Sequence, residues 1–320
     1  MYSIGIDLGG TIIKIGLIQA GEIIGFKAVA SVSRRGFRAN MPQIEEAIQQ
    51  LMDESGIDAS QLSGVGLAFP GLVNPVNKTV ISTNEKYDDA QDIDFSAWVN
   101  SKWGVPLYMD NDARMAAMGE WRYGAGKGYN NVVMMTIGTG IGTGVVIDGK
   151  VLYGEHFQAG SLGGHFVIDY KGRRCSCGNV GCVEAHSSSS FLKEIICDNE
   201  TLSESFKDKA DDLDFKLIFD LAEQEDKDAL CVRNQCMDIW AAAIITYIHA
   251  YDPEVVILGG GIMKSSKTII PYLKARVDEL AWCPSGKVQL VASQLGDNTA
   301  LLAAEYGLKT TNHKLHEKIY

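Results

Sequence analysis

The chain has 320 residues, 46% of them hydrophobic and 22% charged, with 40 acidic against 29 basic side chains and a net charge of −11. This is the balance of an ordinary soluble protein with enough length for one large or two medium domains. The negative charge argues against a nucleic-acid partner and gives no steering to anionic membranes, and the longest apolar stretch, residues 131–148, is interrupted by glycine and threonine too often to span a bilayer.

The first run, Ile4-Gly-Ile-Asp7-Leu-Gly9-Gly10-Thr11-Ile-Ile-Lys14-Ile-Gly16, predicts a buried strand, a glycine turn carrying a carboxylate and a hydroxyl, and a second strand. Adjacent glycines let backbone N–H groups approach a phosphate closely. Asp7 at the strand end can hold Mg²⁺ through water, and Thr11 can donate to a phosphate oxygen. A plain β-hairpin turn could contain the same residues, and Lys14 reads as a solvated strand residue. A third strand, an amphipathic helix over Ile44–Met52 and a strand over Gly64–Ala68 follow; Asn77–Phe95, polar and carrying Asp88-Asp89, reads as an exposed loop.

At Leu107-Tyr-Met-Asp110-Asn111-Asp112 a strand ends and a helix begins. Asn111 or Asp112 can cap that helix. The functional alternative makes Asp112 the general base for a substrate hydroxyl, with Asn111 orienting the substrate. A second glycine turn, Gly138-Thr139-Gly140, again lies between two strands, and Val255-Val-Ile-Leu258-Gly259-Gly260-Gly261 is a buried strand ending in glycines. Three such clusters, well apart, suggest a nucleotide clamped between two lobes, the first two gripping phosphates and the third leaving room for adenosine. With phosphate loops on either side, the base reading of Asp112 is preferred over the cap.

His165, Cys175, Cys177 and Cys182 offer one nitrogen and three sulfurs, the donor set of a closed tetrahedral zinc site, and Gly178 and Gly181 allow the tight turn. Four protein ligands make such a zinc structural; unrelated thiols, or a disulfide with one cysteine over, are the bland alternative. Glu184 stands two residues past the last ligand. Beyond it, residues 198–228 read as a surface helical segment, Trp240–Tyr251 as an apolar helix, and a helix opens at Asp297 or Asn298 and packs back, leaving Thr310–Tyr320 as a frayed polar tail. The first strand starts almost at once, and Cys197, Cys231, Cys236 and Cys283 read as free thiols, so a reducing, cytoplasmic setting is expected.

In their order, Asp7-Leu-Gly-Gly-Thr11, Phe69-Pro70-Gly71, Asn111-Asp112, the run from Gly138, Gly164-His165 and Cys175-x-Cys177-Gly-x-x-Gly-Cys182-x-Glu184 resemble the ROK family of the actin-like ATPase superfamily, over about residues 2–306. The resemblance implies an α/β fold of two actin-like (ribonuclease H-like) lobes of mixed sheet flanked by helices, with a cleft between them. It also implies ATP-dependent phosphorylation of a hexose, with Asp112 as base, and a sugar held by Asn111, Asp112, His165 and Glu184. Gly66 and the turn ending at Gly71 would line the sugar side. The expected lobes are residues 1–110, with a helix at about 297–308 packing back, and 111–296 with the zinc motif. The expected ligands are ATP, Mg²⁺ and a structural Zn²⁺, and the expected assembly is a homodimer or homotetramer.

One departure stands out. Family kinases carry Glu-x-Gly-His, and here the glutamate position is Leu162. Leucine accepts no hydrogen bond, so either Ser161 or Glu155 compensates or the preferred sugar differs from glucose at that hydroxyl. The family also contains repressors, whose DNA-binding segment of about eighty residues would precede a motif that starts here after six. A catalytically impaired sugar-binding or sugar-sensing protein is the alternative that Leu162 leaves open; Asp7, Thr11, Asp112 and Thr139 favour the kinase.

Overall fold

A computed structural model of the chain describes residues 1–83 and 85–314. The chain divides into two compact units, one of Met1–Gly128, Val151–Ala159 and the segment from Asp297, the other of Tyr129–Lys150 and Gly160–Gly296.

In the first unit β1 (Tyr2–Leu8), β2 (Ile12–Gln19) and β3 (Glu22–Ala30) run up and down, and α1 (Met41–Ser55) leads to β4 (Leu62–Phe69). A hairpin of β5 (Gly71–Asn74) and β6 (Thr79–Thr83) precedes α2 (Phe95–Trp103), β7 (Leu107–Asn111) and α3 (Asp112–Tyr123). The sheet order is β3-β2-β1-β4-β7, antiparallel between β1, β2 and β3 and parallel from β1 through β4 to β7. Helix α1 buries Ile44, Ala47, Ile48, Leu51 and Met52, one stripe at helical spacing, and ends at Gly56 in the left-handed conformation. With α2 it packs its apolar side into a core that holds Ile4, Ile6, Phe95 and Trp98.

The second unit repeats the plan. Strands β8 (Val132–Ile137), β9 (Ile141–Ile147) and β10 (Lys150–Val151) are followed by helices α4 (Val183–Ser187), α5 (Leu192–Cys197), α6 (Glu204–Lys207), α7 (Phe215–Glu223) and α8 (Lys227–Tyr251). Then come β11 (Val255–Gly259), α9 (Ser266–Leu280) and β12 (Gln289–Ala292), giving the order β10-β9-β8-β11-β12 with β8, β11 and β12 parallel. In both units a hairpin opens the sheet and parallel strands extend it beyond the hairpin's first strand.

The C-terminal helix α10 (Thr299–Lys314) belongs to the first unit. Glycines let it lie close: a Cβ at Gly5, Gly66 or Gly119 would sit 2.7 Å from Leu301 O, 2.2 Å from Ala304 Cβ and 2.1 Å from Thr299 O. No helix among the described residues is long and apolar enough to cross a membrane.

Several expectations change. The second unit begins at residue 129 rather than 111, because α3 continues β7 without a break and packs along α10 in the first unit. Asp112 therefore stays with Asp7. The segment Asn77–Phe95 is not a plain exposed loop: it contains β6 and a turn over Asp88–Asp92, and Tyr87 and Ala90 are buried. Its polar residues mark one side, while the inward residues Val80, Tyr87, Ala90 and Phe95 fall at irregular spacing and give no period to read. Helix α10 continues to Lys314, through the start of the tail expected at Thr310, and residues 315–320 lie outside the described ones.

Candidate active site

Three parallel strands bring the first unit's candidates to one sheet end. Asp7 is level with Ala68, Ala68 with Asp110, and Phe69 with Asn111, so the glycine turn, Gly71 and Asp112 all follow the carboxyl ends of adjacent strands. Ligands of open α/β sheets bind at such ends.

The Gly9–Gly10–Thr11 turn is tied from behind. Tyr87 Oη donates to Gly9 O at 2.7 Å and Ser33 Oγ to Gly10 O at 2.8 Å. Tyr87 is itself bonded to Ser31 Oγ at 2.7 Å, and its N–H reaches Ser33 O at 2.8 Å. Thr11 is exposed beside them. The Asp7 carboxyl is pushed up to about 7, first by burial and then by the charge of Asp112, while Lys14 pulls it down and Asp297 adds to the rise. A divalent cation beside Asp7 would reverse that sign and favour the carboxylate. Lys14 is neither free nor a ready phosphate ligand: its ammonium donates to Asp297 O at 2.9 Å.

At the β7–α3 junction both capping readings are resolved. Asn111 is the cap, its Oδ1 accepting from Arg114 N at 3.0 Å, and Asp112 is the first helical residue. The Asn111 amide donates to Gly71 O at 3.0 Å and to Asp112 Oδ1 at 2.9 Å, and Ala113 N donates to the same oxygen at 2.7 Å. Asp112 is thus held by one oxygen, and Oδ2 accepts from no side chain among the described residues. Burial raises its pKa, while these hydrogen bonds and the nearby Lys86 work against the rise.

Beneath it lies a buried ion pair. Arg114 Nη1 meets Asp110 Oδ1 at 2.7 Å, and Tyr108 and Tyr153 hydroxyls donate to Asp110 Oδ2 at 3.0 and 2.9 Å. Arg114 Nη2 also donates to Phe157 O and Ala159 O, tying residues 153–159 to the strand that presents Asp112. Removing one partner of a buried pair leaves the other charge uncompensated. Arg114→Met should therefore lower unfolding free energy by about 3–5 kcal/mol. Denaturant titration of both proteins checks this; a loss under about 1 kcal/mol would show that the tyrosines suffice for Asp110.

In the second unit, Gly138, Thr139 and Gly140 form the β8–β9 turn, and Gly259 pairs in register with Thr136, so the Gly259–Gly260 run lies beside that turn. Gly260 adopts φ 91°, and a Cβ there would fall 2.2 Å from Ile137 O. The turn is braced by the segment after the cysteine motif: Ser189 N donates to Gly138 O at 3.1 Å and Ser190 N to Thr139 O at 3.0 Å. Glu184, buried at 6% exposure, accepts from Ile141 N at 2.9 Å. Thr143 Oγ1 donates to Gly160 O and accepts from Gly163 N, which fixes the approach to Leu162 and His165.

His165, Cys175, Cys177 and Cys182 come together, their ligand atoms all within 4.8 Å of one another. A tetrahedral ion with metal–sulfur bonds of about 2.3 Å spaces its ligands by about 3.7 Å. The Cys177–Cys182 sulfurs are 3.7 Å apart, and Cys175 Sγ lies 3.6 Å from His165 Nδ1. Gly178 and Gly181 take φ of 90° and 78°, the left-handed turn the sequence asks of them. Burial and the neighbouring sulfurs push the Cys182 thiol up, a direction that a divalent cation between the four ligands would reverse. The residues fit a metal.

Sequence reasoning missed Lys86, Tyr87 and the role of Asp297 beside Asp7. It also missed the Asp110–Arg114 pair, although its i, i+4 spacing is a readable signal.

Two five-stranded mixed sheets of one plan, flanked by helices and each led by a hairpin with a glycine turn, define a protein of the actin-like ATPase class. Within that class the chain belongs to the ROK family, whose profile matches residues 3–310. It is similar to a glucokinase of Thermotoga maritima, 30% identical over 309 residues that cover 94% of this chain and 95% of that protein. A xylose repressor of Bacillus subtilis is 28% identical over 307 residues, 94% of this chain and 75% of the repressor. Among solved structures, a ROK family glucokinase from Streptomyces griseus in complex with glucose and AMPPNP superposes with a TM-score of 0.80 at 26% identity, covering 96% of this chain and 99% of that one.

Proposed function

We propose that this chain is an ATP-dependent kinase of a hexose or hexose derivative, with Asp112 as general base and a structural zinc at His165, Cys175, Cys177 and Cys182 shaping the sugar site. The observation that carries the reading is the placement of Asp112. Its carboxylate is anchored by one oxygen at the carboxyl end of β7, close enough to the Asp7 turn for the two charges to act on each other.

Asp112 accepts the proton of the sugar hydroxyl as the new oxygen–phosphorus bond forms and the bond to ADP breaks; the proton then passes to solvent. A raised pKa suits this role, since it makes the carboxylate a stronger base near neutral pH. Asn111 holds the base and the Gly71 carbonyl together. With Gly71, His165 and Glu184 these residues are assigned to the sugar. Asp7, Gly9, Gly10, Thr11, Gly138, Thr139, Gly140, Gly259 and Gly260 are assigned to the nucleotide. Magnesium held through Asp7 would neutralise phosphate charge. A zinc held by His165, Cys175, Cys177 and Cys182 would supply rigidity rather than a reaction centre, since all four donors come from the protein.

ADP release from ATP and Mg²⁺ across a panel of hexoses tests the reading, and a protein that turns over none of them fails it. Leu162 bears on which sugar wins. It immediately precedes the Gly163–His165 turn, where it offers a hydrocarbon in place of an acceptor. Wild-type protein should discriminate against glucose by about 10–100-fold, on the order of one unmade buried hydrogen bond. Leu162→Glu should raise kcat/KM for glucose relative to the preferred sugar. Preference for glucose in wild type, unshifted in the variant, would mark Leu162 as a neutral replacement.

A further inference from the structure

We propose that Lys86 is a phosphoryl-binding residue, meeting the phosphoryl group from the side of the Gly9–Gly10 turn as it passes to the sugar. The proposal rests on the kinase reading and adds a cation that the family motifs in this chain do not supply.

Position comes first. A Cβ built on Gly10 would lie 3.2 Å from Lys86 Cε and 3.4 Å from its Nζ, so the ammonium stands against the turn itself. On its other side Lys86 is near enough to Asp112 to act on that carboxyl's charge. One cation thus stands against the proposed phosphate turn and acts on the charge of the proposed base.

Availability comes second. The half-buried ammonium makes no hydrogen bond or ion pair among the described residues, whereas the other lysine of this region, Lys14, is occupied by Asp297 O. The neighbourhood is otherwise acidic: Asp112 and Asp297 both raise the Asp7 carboxyl. A nucleotide polyphosphate arriving at such a place needs a cation from the protein as well as from solution, because phosphoryl transfer is catalysed mainly by positioning and charge neutralisation.

The backbone comes third. Glu85 and Tyr87, on either side, take φ of 55° and 56°, a region that residues with side chains seldom adopt. Tyr87 is held there by hydrogen bonds to Ser31, Ser33 and Gly9. A lysine on a merely solvated loop needs no such anchoring. Here the same tyrosine that ties back the turn also sets where Lys86 begins.

The test compares the full-length wild type with Lys86→Met and Lys86→Arg, on whichever hexose the wild type phosphorylates best. Loss of the cation should lower kcat by about 100-fold, the scale of one preorganised donor to a developing charge. The sugar dissociation constant, measured by calorimetry without nucleotide, should stay within about twofold, and Lys86→Arg should recover at least about a tenth of turnover. A kcat within about threefold of wild type in Lys86→Met would overturn the proposal. So would a loss confined to sugar affinity, which makes Lys86 a sugar ligand instead, or equal damage in Lys86→Arg and Lys86→Met with lowered thermal midpoints, which makes it structural. Wild-type protein inert towards every hexose would sink the kinase reading first, and this proposal with it; wild-type turnover with an unaffected Lys86→Met sinks the proposal alone.

Discussion

Asp112→Asn should cut turnover to below about one per cent of wild type, since a positioned base contributes on the order of 10²–10⁴-fold, while sugar affinity stays within about tenfold. The structure makes the substitution a clean one. Asp112 Oδ1 accepts from the Asn111 amide and from Ala113 N, and an asparagine oxygen can take over both bonds without moving the helix start. What asparagine loses is the ability to receive a proton. Steady-state rates give turnover and calorimetry gives sugar binding. Retention of more than a few per cent of wild-type kcat, with binding intact, would remove Asp112 from the base role. The carboxyl–carboxyl repulsion with Asp7 would also vanish in the variant, so nucleotide affinity has no reason to fall.

The second large effect concerns the cysteine motif. One zinc per chain should co-purify with the protein, and Cys177→Ser should reduce both metal content and thermal stability. Structural zinc contributes about 10–16 kcal/mol of apparent binding free energy in small zinc-dependent folds, so weakening the site removes a large share of local stability. The loop around the cysteines should feel the loss most, because α4 spans only Val183–Ser187 and the apolar cluster at the buried cysteines holds only Ala185 and Phe191 besides. A serine hydroxyl is a poor replacement for a thiolate. Metal analysis by mass spectrometry and thermal melts with and without a chelator check the expectation. Metal-free protein with full activity after chelation would defeat it.

What was legible in the sequence is what is encoded within a few residues. Cys175, Cys177 and Cys182 announce a metal site because their spacing alone brings three sulfurs together, and the two glycines between them need no distant contact to turn. Helix α1 was readable from Ile44, Ala47, Ile48 and Leu51 at helical spacing, and the glycine turns from apolar runs that end in paired glycines. What was not legible depends on partners far along the chain. Tyr87 meets Gly9 across 78 positions, and its chain neighbour Lys86 comes to the same turn. The boundary at residue 111 was misplaced for a related reason. The break between strand and helix at Asn111–Asp112 looks like a domain start, and only the packing of α3 on α10 shows that both belong with β1.

The tie from Tyr87 and Ser33 to the first turn has a consequence for how that turn meets an anion. A trans peptide is planar, so its carbonyl and its N–H point in opposite directions, and there is no cis peptide among the described residues. Pulling the carbonyls of Gly9 and Gly10 towards Tyr87 and Ser33 therefore aims the N–H groups of Gly10 and Thr11 the other way. Glycine peptides left to themselves rotate between orientations, showing an oxygen at one moment and a hydrogen at the next. Here two hydroxyls hold the planes still, so the turn presents its N–H groups to one side before any ligand arrives. The ordering entropy has been met during folding, so less of it is left to oppose binding.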